Sequence, residues 1–89
     1  MQDTSFKNRV ILVVDDEERM ARFIRLNLEQ DGFQVVEAYR GLDAIHQLRD
    51  SMPDVVVLDI MLPDIDGFEV LRMIREISSV PVIMLTAKG

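Results

Sequence analysis

Short apolar runs alternate along this chain with stretches in which apolar positions recur at helical spacing. Val10–Val14 is a continuous, mostly β-branched run closed by Asp15 and Asp16, the pattern of a strand covered on both faces. From Glu17 the period changes. Met20, Ile24 and Leu28 form a stripe with Ala21 and Phe23 alongside, while Arg19, Arg22 and Arg25 fall mostly outside it, which predicts a helix to about Gln30. Asp31-Gly32 supplies its stop, since glycine takes the left-handed conformation freely, and Gln34 to Ala38 reads as a short second strand. Gly41, Ala44, Ile45, Leu48 and Met52 predict a second helix, ended by Ser51 to Pro53. Val55 to Leu58 is again wholly apolar and again stops on an acid, Asp59.

After a loop from Ile60 to Asp66, the positions Gly67, Val70, Leu71, Ile74 and Ile77 predict a third helix. Asp66 is placed to cap it, with Glu69 completing a capping box. Pro81 opens a fourth strand over Val82 to Leu85, a position where a missing N–H is tolerated. Met1 to Asn8 carries no pattern. Strands and helices that alternate through connections of a few residues imply parallel strands, right-handed crossovers and helices on both faces of the sheet. The chain reads as one unit, without repeat, low-complexity tract or linker.

Composition narrows the chemistry. Of 89 residues, 48% are apolar and 29% charged, an ordinary globular balance rather than a disordered one. Sixteen acidic against ten basic side chains give a net charge of −6, and the isoelectric point is near 4.6. A nucleic acid or an anionic lipid needs a basic footprint, so both are poor partners for this segment, and a small cation or a metal suits it better. There is no cysteine and a single histidine, His46, so thiolate chemistry and histidine-rich metal sites are excluded and oxygen ligands remain. The apolar runs fall far short of the roughly 18 residues of a membrane span, and the run at Val10 is also too short for the apolar region of a signal peptide and is followed by four acids. A cytoplasmic protein without membrane contact is expected.

In an open parallel sheet, ligands bind beyond the carboxyl ends of the strands, where strand order reverses. Asp15 and Asp16 follow the first strand, Asp59 the third and Thr86 the fourth, so all four share one rim. If the first and third strands are neighbours, as in the flavodoxin-like order, three carboxylates converge. Two unit charges about 4 Å apart repel by about 4 kcal/mol at an effective dielectric near 20. A hard, oxygen-seeking cation such as Mg²⁺ offsets that repulsion.

Plainer readings stand beside these. Asp16 suits the cap of the first helix equally well, with Glu17 and Glu18 at the positive end of its dipole. Thr86 alone is more typical of a turn. His46 falls on a polar helix face, Met20, Met52, Met73 and Met84 read as packing, and Arg22, Arg25, Arg72 and Arg75 as solvated, with Glu69 and Glu76 pairing to the last two. Asp64-Ile65-Asp66-Gly67 looks like a calcium loop, yet the first and twelfth ligand positions would be Leu62 and Met73, which removes an EF-hand. A phospho-aspartyl hydrolase would carry a second acid where Met61 stands. Glycine-rich nucleotide loops and Ser/His/Asp sets are absent.

Three stretches, Val10-Ile11-Leu12-Val13-Val14-Asp15-Asp16-Glu17, then Val57 through Gly67, then Pro81 through Ala87, resemble the receiver domain of bacterial two-component response regulators. The resemblance covers nearly the whole chain. It implies an α/β fold, the flavodoxin-like doubly wound parallel sheet, here β-α-β-α-β-α-β with strand order 2-1-3-4. It implies further that Asp59 accepts a phosphoryl group from a phosphohistidine on a partner sensor histidine kinase. Asp15 and Asp16 would hold Mg²⁺ with Asp59 and the backbone carbonyl of Met61, and Thr86 would be the switch hydroxyl. Such a domain is a signalling unit that promotes its own phosphorylation and dephosphorylation, not an enzyme in the usual sense.

The residues Thr86-Ala87-Lys88-Gly89 are similar to the OmpR/PhoB subfamily, whose receivers precede a winged-helix DNA-binding domain. DNA would then be bound only through a domain outside these residues. The family pattern continues with a helix, a fifth strand ending in a lysine, and a last helix, and Lys88 stands in the wrong place to replace that lysine. Residues 1–89 are therefore expected to be the N-terminal part of a receiver, with the fourth strand unpaired on one edge, and either completed by a complementing chain or a homodimer partner or part of a longer protein. A receiver-like module that dimerises without phosphorylation is the competing reading, and the intact set of Asp15, Asp16, Asp59 and Thr86 argues against it.

Overall fold

The computed structural model describes residues 8–85, and its elements follow the predicted alternation: β1 Val10–Val14, α1 Glu18–Gln30, β2 Gln34–Ala38, α2 Gly41–Ser51, β3 Val55–Asp59, α3 Gly67–Ile77 and β4 Val82–Leu85. The strands form one parallel sheet in the order β2-β1-β3-β4. β1 is therefore central, with Val13 opposite Glu37 on one side and Val57 on the other. This explains its unbroken apolar run.

Side chains alternate across the sheet and fill two clusters. Leu12, Val14, Val56 and Leu58 face Ala44, Leu48, Val70 and Ile74 of α2 and α3. Ile11 and Val13 face Ala21 of α1, with Ile24 and Leu28 packed at the margin. Leu12, Val13, Val14, Val56 and Leu58 are wholly removed from solvent, and each fully buried side chain of this size contributes about 1.5–3 kcal/mol. That burial is what fixes β1 and β3 side by side.

The apolar stripe of α1 sits differently from the predicted one. Its inward line is the buried Ala21 with the half-buried Ile24 and Leu28, while Phe23 is 65% exposed and Met20 is also exposed. Small Ala21 shares the buried cluster with Ile11 and Val13, and the two bulkier side chains fall to the flank. Met52, expected to pack, is 78% exposed. It closes α2 in the left-handed conformation at φ 47°, directly before Pro53, which cannot continue a helix. Gly32 takes the left-handed turn after α1 as predicted, at φ 97°.

Arg25 is not the solvated residue expected. Its guanidinium donates to Glu37 Oε2 on β2 and lies 3.9 Å from Glu29, and the Tyr39 hydroxyl donates to Glu37 Oε1 at 2.7 Å. The Glu37 side chain is nearly buried. A charge turned inward on an edge strand blunts that edge against pairing with other chains. At the opposite side, β4 has only β3 as a neighbour among the described residues, and Ile83 is exposed. Among the described residues no helix is long and apolar enough to cross a membrane.

Candidate functional site

Because β1 and β3 are neighbours with Val14 opposite Leu58, Asp15 and Asp16, which follow β1, emerge at the carboxyl rim together with Asp59, the last residue of β3. The backbone holds both in place. Asp15 N–H donates to Ala38 O at 3.0 Å, and Ile60 N–H donates to Leu85 O at 3.1 Å. Asp15 and Asp59 are 6% and 7% exposed and Asp16 is exposed. One carboxylate oxygen from each of the three lies within 4.8 Å of the other two. The predicted convergence of Asp15, Asp16 and Asp59 is present.

Each of the two buried acids is oriented by the backbone two residues on. Asp15 Oδ1 accepts from Glu17 N–H at 2.9 Å, and Asp59 Oδ1 accepts from Met61 N–H at 3.3 Å. Burial pushes the Asp15 carboxyl above the usual range, and the charges of Asp59, Asp16 and Glu17 push it the same way. The Glu17 N–H acts against them but does not cancel them. With these oxygens no more than 4.8 Å apart, each like-charge pair costs about 3 kcal/mol or more at an effective dielectric near 20. Three oxygen donors at a strand-end rim, with no thiolate or imidazole among them, are the donor set of a hard cation, and Mg²⁺ fits it.

The alternative role for Asp16 is not taken. The N-cap position of α1 is Glu17, which makes no side-chain cap bond, and the Asp16 carboxylate belongs to the acidic cluster. Met61, Leu62 and Pro63 line a pocket with the three acids, Met20 and Phe23. Thr86 and Lys88 lie outside the described residues.

The loop from Ile60 to Asp66 is tightly held. Gly67 N–H donates to Ile60 O at 2.7 Å. A Cβ at position 67 would stand 2.5 Å from Asp59 O and 2.7 Å from Ile60 Cα. Gly67 is thus required for space, not for an unusual φ. Asp66 Oδ1 accepts from Phe68 N–H at 2.6 Å, the predicted cap of α3, but Glu69 pairs with Arg72 instead of completing a capping box. Asp64 does what the sequence did not suggest, accepting from Gly41 N–H at 2.8 Å and Leu42 N–H at 3.0 Å at the start of α2. Both acids of the calcium-loop lookalike are therefore helix caps. The available hint for Asp64 was Arg40, a poor capping residue directly before Gly41.

A sequence profile of the response regulator receiver domain matches residues 11–89. The chain belongs to the response regulator receiver family. Solved structures agree. The receiver of Francisella response regulator 1452 is 34% identical with a TM-score of 0.84, covering 90% of this chain and 67% of that one. The BeF3-activated N-terminal receiver domain of RstA from Klebsiella pneumoniae is 32% identical with a TM-score of 0.86, over 91% and 69%. TrrA from Thermotoga maritima, in complex with Mg²⁺-BeF, is 34% identical with a TM-score of 0.84, over 91% and 71%. The chain spans 58% to 71% of the length of such solved chains. The order β2-β1-β3-β4 with its three helices is the flavodoxin-like receiver fold, and a receiver is a signalling domain.

Proposed function

We propose that this receiver is the phosphoacceptor of a two-component system and that Asp59 takes the phosphoryl group from a phosphohistidine of a sensor histidine kinase in the cytoplasm. The observation that carries the reading is the meeting of Asp15, Asp16 and Asp59 within 4.8 Å at the rim. In the transfer, a carboxylate oxygen of Asp59 attacks phosphorus. The P–N bond to the histidine breaks, its electron pair stays on the ring nitrogen, and an acyl phosphate remains on Asp59. Phosphoryl transfer leaves the protein little covalent work, so alignment and charge stabilisation supply most of the catalysis.

Asp15, Asp16, Asp59 and the backbone carbonyl of Met61 are the groups we assign to Mg²⁺. When bound, the ion neutralises the carboxylates and the phosphoryl oxygens. Burial of Asp59 and the Met61 N–H on its Oδ1 hold the accepting carboxylate still. Thr86 is assigned as the switch hydroxyl that turns toward the new phosphoryl oxygens, whose added charge near −2 supplies the bias. An OmpR/PhoB-type output, a winged-helix DNA-binding domain, is the effector we favour, on the wording of residues 86–89 and the likeness to RstA. Incubating the whole protein with a small labelled acyl phosphate tests the reading. Incorporation that requires Mg²⁺ and is released by hydroxylamine, as an acyl phosphate is, supports it. No incorporation, or incorporation indifferent to Mg²⁺, contradicts it.

A further inference from the structure

α2 begins without a cap of its own. Arg40 occupies the N-cap position with extended backbone, φ −139° and ψ 155°, and makes no side-chain cap bond. The missing acceptor comes from the loop after β3, where both carboxylate oxygens of Asp64 take N–H groups of α2, from Gly41 and Leu42. The neighbouring residue interlocks with the same helix start, since a Cβ on Gly41 would fall 2.4 Å from Ile65 Cγ1. Burial pushes the Asp64 carboxyl up, but the backbone N–H groups of Leu42, Gly41, Ile65 and Asp64 itself together outweigh it and hold the carboxyl below the usual range. It is an ionised acceptor at the positive end of a helix.

This tie lies close to the acidic site. Only Leu62 and Pro63 separate Asp64 from Met61, and proline fixes its own φ near −65°, so the connection is short and stiff. Met61 N–H reaches Asp59 Oδ1 at 3.3 Å, at the long end of hydrogen-bonding distance, and a small shift of the loop would break that bond. We infer that Asp64 is a positioning residue, which clamps the loop bearing Met61 to α2 and thereby sets Met61 beside Asp59. The inference rests on the reading of this rim as the metal and phosphoacceptor site. It assigns to α2, which supplies no group to the cluster, a part in holding the site's geometry.

The test separates positioning from stability in the whole protein. Asp64→Ala is compared with Asp64→Asn, which has the same charge but keeps an acceptor oxygen, and with Asp64→Ala combined with Arg40→Asn. The double variant gives α2 a cap within its own sequence and leaves net charge unchanged. Thermal midpoint and Mg²⁺ titration midpoint are read for each. Asp64→Ala is expected to melt earlier and to bind Mg²⁺ about tenfold more weakly, the scale of losing a group that orients a metal ligand. Asp64→Asn should recover part of that affinity. The double variant should recover the thermal midpoint and not the Mg²⁺ affinity.

Wild-type Mg²⁺ affinity in Asp64→Ala, or recovery of both quantities in the double variant, would overturn the inference and leave Asp64 a helix cap. If Asp64→Ala does not fold, Asp64→Asn and the double variant carry the same comparison against wild type. A wild-type protein that binds no Mg²⁺ would remove the functional reading and this inference together, whereas normal wild-type binding with unaffected variants removes the inference alone.

Discussion

At the scale of single residues, an acid that follows a buried strand behaves differently from one on an exposed helix. Asp15 and Asp59 are held nearly out of water, beside each other and beside Asp16. In metal-free protein this closeness works against folding. Asp15→Asn, which keeps the shape and removes one charge, is expected to raise the thermal midpoint in a chelator by roughly 4–8 °C, the equivalent of about 1 kcal/mol in a domain this size. A scanning-calorimetry midpoint that falls instead would show that the cluster does not repel. Asp16→Ala should weaken Mg²⁺ binding by more than about tenfold, since it removes an assigned ligand rather than one of its supports. Isothermal titration checks this. The three acids were legible in the sequence because each stands at or next to the end of an apolar strand. Asp64 was not, because the N–H groups it serves lie more than twenty residues back in the chain, and local pattern holds no information about so distant a partner.

At the scale of elements, the local rules decide where helices begin and end, and tertiary packing decides which face they bury. The stop at Gly32 and the cap at Asp66 were readable because glycine and aspartate act on their immediate neighbours. The inward line of α1 was shifted and the role of Arg25 missed, because both depend on what β1 and β2 present beneath the helix. Asp66→Ala is expected to cost about 1 kcal/mol of stability as a lost cap. Gly67→Ala should cost about 1–3 kcal/mol, because its Cβ meets backbone atoms of Asp59 and Ile60, which yield less readily than side chains. Urea titrations read both. Acid sensitivity follows from Asp64, whose carboxyl lies below the usual range in the folded protein. Its stabilisation is complete above the ordinary carboxylate pKa of about 4 and is lost as pH falls through the lower folded value. The wild type should therefore lose more stability than Asp64→Asn between about pH 5 and about pH 3. Equal losses in urea midpoints would rule out that contribution.

At the scale of the molecule, the order β2-β1-β3-β4 turns a linear pattern into a site. Residues 15 and 59 are far apart in the chain, yet they meet because the two most buried strands are packed as neighbours in the sheet. Neither the adjacency of β1 and β3 nor the exposure of Phe23 and Ile83 could be read from periodicity alone. The family resemblance carried the strand order, and the paired apolar runs explain it physically. Three of the sixteen acids meet at the rim, whereas Asp64 and Asp66 cap helices and Glu37 and Glu69 pair with arginines. The central claim is that this rim delivers a phosphoryl group to one residue. After reaction of the whole protein with a small acyl phosphate and Mg²⁺, tandem mass spectrometry locates the modified residue in wild type and in Asp59→Asn. The account predicts the label on Asp59 and its loss in the variant, and a label on another aspartate, or equal labelling of both proteins, would contradict it.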